Sequence, residues 1–187
     1  MTKMSILIIC LLLLFYCGCK PKNDKKESFF PVLSFIKSQV AHVDTSLFRI
    51  TKMVSSGNHW DTSYIKREEF RTYAADFLEL PDLSEKTAGA GYDESKFFDA
   101  SLNRAIITYL PKDKSQPVQR EELTIEPGQG SADKVKNIII DKQVAKEDSS
   151  FITKRLLWVV DESFQVTTII QKPGSPDSTQ TTKISWE

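Results

Sequence analysis

After Ala88-Gly89-Ala90-Gly91 the apolar pattern of this chain changes from helical to alternating, and it stays alternating almost to the last residue. Segments near 95–102, 105–110, 118–125, 135–144, 151–160, 164–171 and 179–186 are rich in β-branched and aromatic residues, as strands are. The gaps between them carry Pro, Gly, Asp and Ser and are too short to hold crossover helices. Consecutive strands must therefore pair antiparallel. The spacing predicts a meander sheet of about six to seven strands, and with helices ahead of it an α+β fold. Phe164, Val166, Thr168 and Ile170 alternate with Gln165, Thr167, Ile169 and Gln171, the signature of a half-buried strand. In 151–160, Leu157 and Val159 add apolar residues to the second face, which places that strand centrally or under a second cover.

The first half reads as helix. Pro31 suits a first helical turn, and Val32, Leu33, Phe35, Ile36, Val40 and Val43 recur near helical spacing. Residues 47–54 fit a short strand or a further helical piece, and Ser55-Ser56-Gly57-Asn58 reads as a loop. A second helix is expected with Asp61 or Ser63 as its N-cap and Ile65, Phe70, Tyr73, Ala74, Phe77 and Leu78 on one face, ending at Pro81. These helices should pack on one side of the sheet.

The N-terminus gives an address. Lys3, the apolar run Ile6 to Tyr16 and the small Gly18 form a charged region, an apolar region and a cleavage site of secretory type. The run is shorter than the roughly 20 residues a membrane-spanning helix needs. Gly18-Cys19 resembles the lipobox of a bacterial lipoprotein signal peptide, with Tyr16 and Cys17 departing from its usual upstream residues. The resemblance implies cleavage before Cys19 and its modification by a diacylglycerol and an N-acyl group, two signals being what stable anchoring requires. It also implies a small envelope lipoprotein, carried to the outer membrane because no Asp follows Cys19, and facing the periplasm. The expected organisation is a signal peptide over 1–18, anchor and flexible tether over 19–28, and one α+β domain over 29–187.

Composition narrows the partners. Twenty-five basic residues balance twenty-five acidic ones, and loss of the leader removes only Lys3. Nucleic acid, which demands a strong basic excess, is excluded as a partner. Cys10, Cys17 and Cys19 all lie in the leader or at its end, so the domain must rely on its core rather than on disulfides.

Catalytic motifs are absent: there is no G-x-S-x-G, P-loop, H-E-x-x-H or C-x-x-C. Gly128-Gln129-Gly130-Ser131 has no helix behind it to complete a phosphate cradle, and it reads as a turn. With only His42 and His59 available, no metal or other cofactor is expected, and His59 with Asp61 is the one local pair that an envelope hydrolase could use. Glu121 and Glu122, adjacent on a strand, face opposite sides and cannot form a dyad. Glu68 and Glu69 sit among Lys66, Arg67 and Arg71, where helical ion pairing accounts for them.

A non-catalytic binder is thus the leading expectation, taking an apolar small molecule or an envelope protein through a helix–sheet cleft or a sheet face. Trp60, Tyr64, Trp158 and Trp186 are its candidate anchors, aromatic side chains being the usual hot spots of interfaces. Core packing is the competing account of all four. A structural assembly partner would instead use an exposed strand edge, and the Thr-rich stretch 179–183 is the candidate.

Overall fold

The computed structural model describes residues 28–57, 59–128, 130, 132–144 and 150–187. The leader, Cys19 and the tether up to residue 27 lie outside the described residues, as do Gln129 and Ser131 of the expected Gly-rich turn. One antiparallel sheet of nine strands dominates, rather than the six to seven expected. Its strands are β1 (Ile50–Ser56), β2 (His59–Tyr64), β3 (Tyr92–Asp99), β4 (Arg104–Pro111), β5 (Val118–Glu126), β6 (Lys134–Val144), β7 (Phe151–Val159), β8 (Ser163–Gln171) and β9 (Ser178–Trp186). Helix α1 (Val32–Thr45) precedes the sheet, and α2 (Arg67–Tyr73), α3 (Ala75–Leu78) and α4 (Lys86–Gly89) lie between β2 and β3.

The two additional strands are β1 and β2. The 47–54 segment resolves in favour of strand from Ile50 on, Ser55 and Ser56 of the expected loop are its last paired residues, and Gly57 follows at φ +64°, Asn58 lying outside the described residues. Asp61 and Ser63 are strand residues, not helix caps. The helix starts instead after Lys66, whose backbone N–H donates to the Glu69 carboxylate at 2.8 Å. All six residues of β2 are exposed, so its sequence has no buried face to create an alternating apolar pattern. β3 begins three residues earlier than predicted. Asp99 ends it by accepting from the Ser101 and Leu102 backbone N–H groups, and Asn103 takes φ +50°.

Strand order is β2-β1-β9-β8-β7-β6-β5-β4-β3. The meander β3 to β9 is extended by the N-terminal hairpin, which returns to pair β1 with β9. Stretch 179–183 is therefore internal, paired with β8 throughout and with β1 from Gln180 on, and the edge role expected of it is wrong. Its threonines fit because β-branched side chains suit a half-buried pleat whatever their polarity. The real edges are β2 and β3. β7 is the middle strand, which explains apolar residues on both of its faces.

One face of the sheet carries the core. Val32, Ile36, Val40 and Val43 of α1 and Phe70, Ala74 and Phe77 of α2 and α3 are buried with Leu123, Ile138, Ile140, Leu156, Trp158, Phe164, Ile184 and Trp186 of the strands. Aromatic rings knit the layers: Phe70 meets Trp186 edge-on at 5.3 Å and Phe77 meets Trp158 edge-on at 5.1 Å. A charged clamp ties α3 to the sheet, with Asp76 accepting from Lys142 at 2.7 Å and Lys154 at 2.8 Å. Burial pushes the Asp76 carboxyl up, but the two lysine hydrogen bonds outweigh burial and hold it below its ordinary value. Its stabilisation is present above the unfolded carboxylate pKa and is lost as pH falls through the lower folded one. We expect Asp76→Ala to cost about 2 kcal/mol near neutral pH, the difference shrinking as acid protonates the carboxylate, measured by urea unfolding.

Candidate functional site

The helix–sheet interior, the cleft expected to take an apolar ligand, is filled by its own aromatics. Trp158 is 0 % and Trp186 4 % exposed; Trp158 stacks on Phe164, and Trp186 packs at a tilt against both rings. These two anchors are core residues, out of reach of any partner. Trp60 (49 % exposed) and Tyr64 (71 %) stand on β2, at the opposite end of the sheet from β3, with Arg49 over the Tyr64 ring at 5.6 Å. The four candidates therefore do not form one site.

His59 and Asp61 do meet, at 3.0 Å, but both are nearly 80 % exposed on the outermost strand, with no third group hydrogen-bonded to them among the described residues. That is a surface ion pair rather than a catalytic cleft. His42 rests edge-on against Phe48. Among the described residues no group of three or more His, Cys, Asp or Glu could hold a metal.

A cleft of about 700 Å³ opens instead at the foot of β3. Phe29, Leu83 and Tyr92 give it an apolar wall, while Glu85, Lys86, Asp93, Glu94 and Lys112 supply charge at its margins. Chain segments far apart in sequence build it. Phe29 is fixed by stacking on Tyr109 at 4.5 Å, and the Phe30 backbone N–H donates to the Tyr109 hydroxyl at 2.9 Å. Asp82 orders the next wall by accepting from both the backbone N–H and the hydroxyl of Ser84. Gly89 has to be glycine: a Cβ there would lie 2.4 Å from the Leu83 carbonyl oxygen. Lys112 donates to the Ala90 carbonyl at 2.9 Å and reaches Asp93 at 3.6 Å, closing the lower rim.

Beneath this wall lies a residue whose importance the sequence did not reveal. Glu121 is 2 % exposed, facing the core from β5 beside Tyr109 of β4, and its Oε1 has no hydrogen-bond partner among the described residues. Burial, with a smaller contribution from Asp82, pushes its carboxyl up to about 8. Burial likewise lifts Tyr109 to about 12, and Glu94 and Glu121 add to the rise. The Tyr92 hydroxyl, from a residue that lines the cleft, is likewise buried with no hydrogen-bond partner among the described residues. Glu121 lies on the same face as Leu123 and Ile125, and the period-2 frame of β5 was the signal that could have found it.

On the other sheet face Asp141 bridges three strands, accepting from Arg120 at 3.0 Å and Arg155 at 2.8 Å. Burial acts to raise its pKa, and the arginine hydrogen bonds more than reverse that, leaving it low. This is an ordinary cross-strand network.

No family model, curated protein or solved structure matches this chain.

Proposed function

We propose that this chain is a lipid-anchored, non-catalytic binding protein of the cell envelope, holding an amphipathic small molecule in the cleft at the foot of β3. The observation that carries the reading is the contrast between a filled helix–sheet interior and an open cleft of about 700 Å³ with apolar walls and charged margins. That volume lies within the range of small-ligand sites, and so does the mixture of apolar lining with a few polar groups. Lys86 and Lys112 interspersed with Glu85, Asp93 and Glu94 give the margin charges of both signs, which suits a ligand whose polar end is neutral overall or zwitterionic. Anchoring through Cys19, retention at the outer membrane and the periplasmic orientation are part of the same proposal, and the Gly18-Cys19 lipobox supports them.

A second reading has its own observation. The cleft adjoins β3, an edge strand, so an extended segment of an envelope protein could add to the sheet and seat one side chain in the cleft.

Ala90 separates the ligand reading from no binding at all. It is exposed, lines the cleft and has ordinary helical backbone angles. Ala90→Trp should fill the cleft and leave the thermal midpoint close to that of the parent. Protein purified from native membranes should yield a solvent-extractable molecule by mass spectrometry that the Ala90→Trp protein lacks. Equal recovery from both proteins, or none from either, would remove the cleft as a ligand site.

A further inference from the structure

Apart from Leu47, every large apolar side chain exposed on the described surface belongs to one of the two edge hairpins. On β3–β4 three of the four gather at the tip, Phe97 at 63 %, Phe98 at 52 % and Leu102 at 66 % exposed, while Leu110, 47 % exposed, stands alone at the foot. Phe97 and Phe98 are consecutive on a strand and point to opposite faces, while Leu102 caps the turn between them. A protein partner docks on one face of a strand, whereas a bilayer surrounds an inserted tip on both.

The charges around the tip are already committed. Arg104 pairs with Glu126 at 3.2 Å, Lys136 reaches the same carboxylate at 3.6 Å, and the Asp99 carboxylate accepts from the Ser101 and Leu102 N–H groups of its own turn. Chain geometry supplies the remaining condition. Residues 20–28 fully extended reach roughly 30 Å from Cys19. They arrive at Phe29, which stacks on Tyr109 of this same hairpin. The eight residues of β3 separate its foot from its tip by about 25 Å, so anchor and tip can occupy one membrane.

We propose that the β3–β4 tip, with Phe97, Phe98 and Leu102, inserts into the lipid surface that carries the Cys19 anchor. The inference rests on the anchoring proposed above. In that pose β3 stands upright on the membrane and the cleft at its foot faces away from the bilayer, open to the aqueous compartment.

The test uses the full chain, purified from membranes and reconstituted in phosphatidylethanolamine–phosphatidylglycerol vesicles with brominated acyl chains. Leu102→Trp places a reporter at the tip, and Thr62→Trp places one on the opposite edge strand, each read against the parent fluorescence. The expected result is quenching and a blue shift for Leu102→Trp only, both lost when Phe97→Ser and Phe98→Ser are added. A lipidated chain whose Leu102→Trp reporter stays unquenched overturns the insertion, leaves the anchor standing and assigns the patch to a protein partner. Intact mass reads the anchor separately. If Cys19 carries no lipid the anchor is overturned whatever the quenching shows; quenching at the tip then upholds insertion of the tip alone, and unquenched fluorescence overturns insertion as well.

Discussion

Replacing Trp158 by alanine should cost the domain about 3–5 kcal/mol, a large part of the 5–15 kcal/mol that holds a typical domain together. The indole is fully buried at the centre of the sheet, stacked on Phe164 at 5.2 Å, edge-on to Phe77 at 5.1 Å and 5.7 Å from Trp186. Its neighbours come from two strands and from α3, so no single movement refills the space. Trp158→Phe should cost much less. Phenylalanine keeps most of the ring contact and removes the Nε1 donor, which has no hydrogen-bond partner among the described residues. Urea unfolding followed by circular dichroism measures both, and the account requires alanine to be clearly the worse. Equal costs would mean that Trp158 is held by its N–H rather than by its packing.

The second large effect concerns pH. Glu121 titrates near 4.5 in the unfolded chain and is pushed up to about 8 in the folded one, so between those values the native state holds the extra proton. Its contribution is fully favourable below pH 4.5 and is lost as pH rises through 8, at up to about 1.4 kcal/mol per pH unit. Asp82, Tyr92 and Tyr109 surround it, and none of them can neutralise a carboxylate. Glu121→Gln keeps the shape and abolishes the titration. At pH 9 the variant should be the more stable protein by several kcal/mol, on the order of 4, and at pH 5 the two should be nearly equal. The check is the urea midpoint of each protein at both pH values. Parallel midpoints would show that Glu121 is ionised and solvated in the native state. On the acid side Asp76 and Asp141, both held low by their cations, act in the opposite sense. The parent should be most stable between the usual carboxylate range and neutrality.

Strands β4 to β9 were legible within a residue or two because each has one face in the core, and burial writes the period into the sequence. β2 was illegible for the converse reason: His59 to Tyr64 bury nothing. At β3 the apolar Phe97, Phe98 and Leu102 looked like core and drew the predicted strand toward the turn, although all three are exposed. Pairing of β9 with β1 is a long-range choice that local pattern cannot express, and it moved 179–183 from the rim to the interior. Of the candidate anchors, Trp158 and Trp186 proved to be core, and a sequence cannot distinguish a core tryptophan from a binding one without burial. The cleft itself depends on Phe29, Leu83, Gly89, Tyr92 and Lys112 converging from separate segments. Only Glu121 was within reach, through the shared face of Leu123 and Ile125.

The most direct test of the whole account is the intact mass of the protein extracted from the membranes of its native host. A chain beginning at Cys19 and carrying a diacylglycerol and an N-linked acyl group is the predicted result. A chain that retains the leader, or is cut elsewhere and bears no lipid, would contradict the anchored binding protein proposed here.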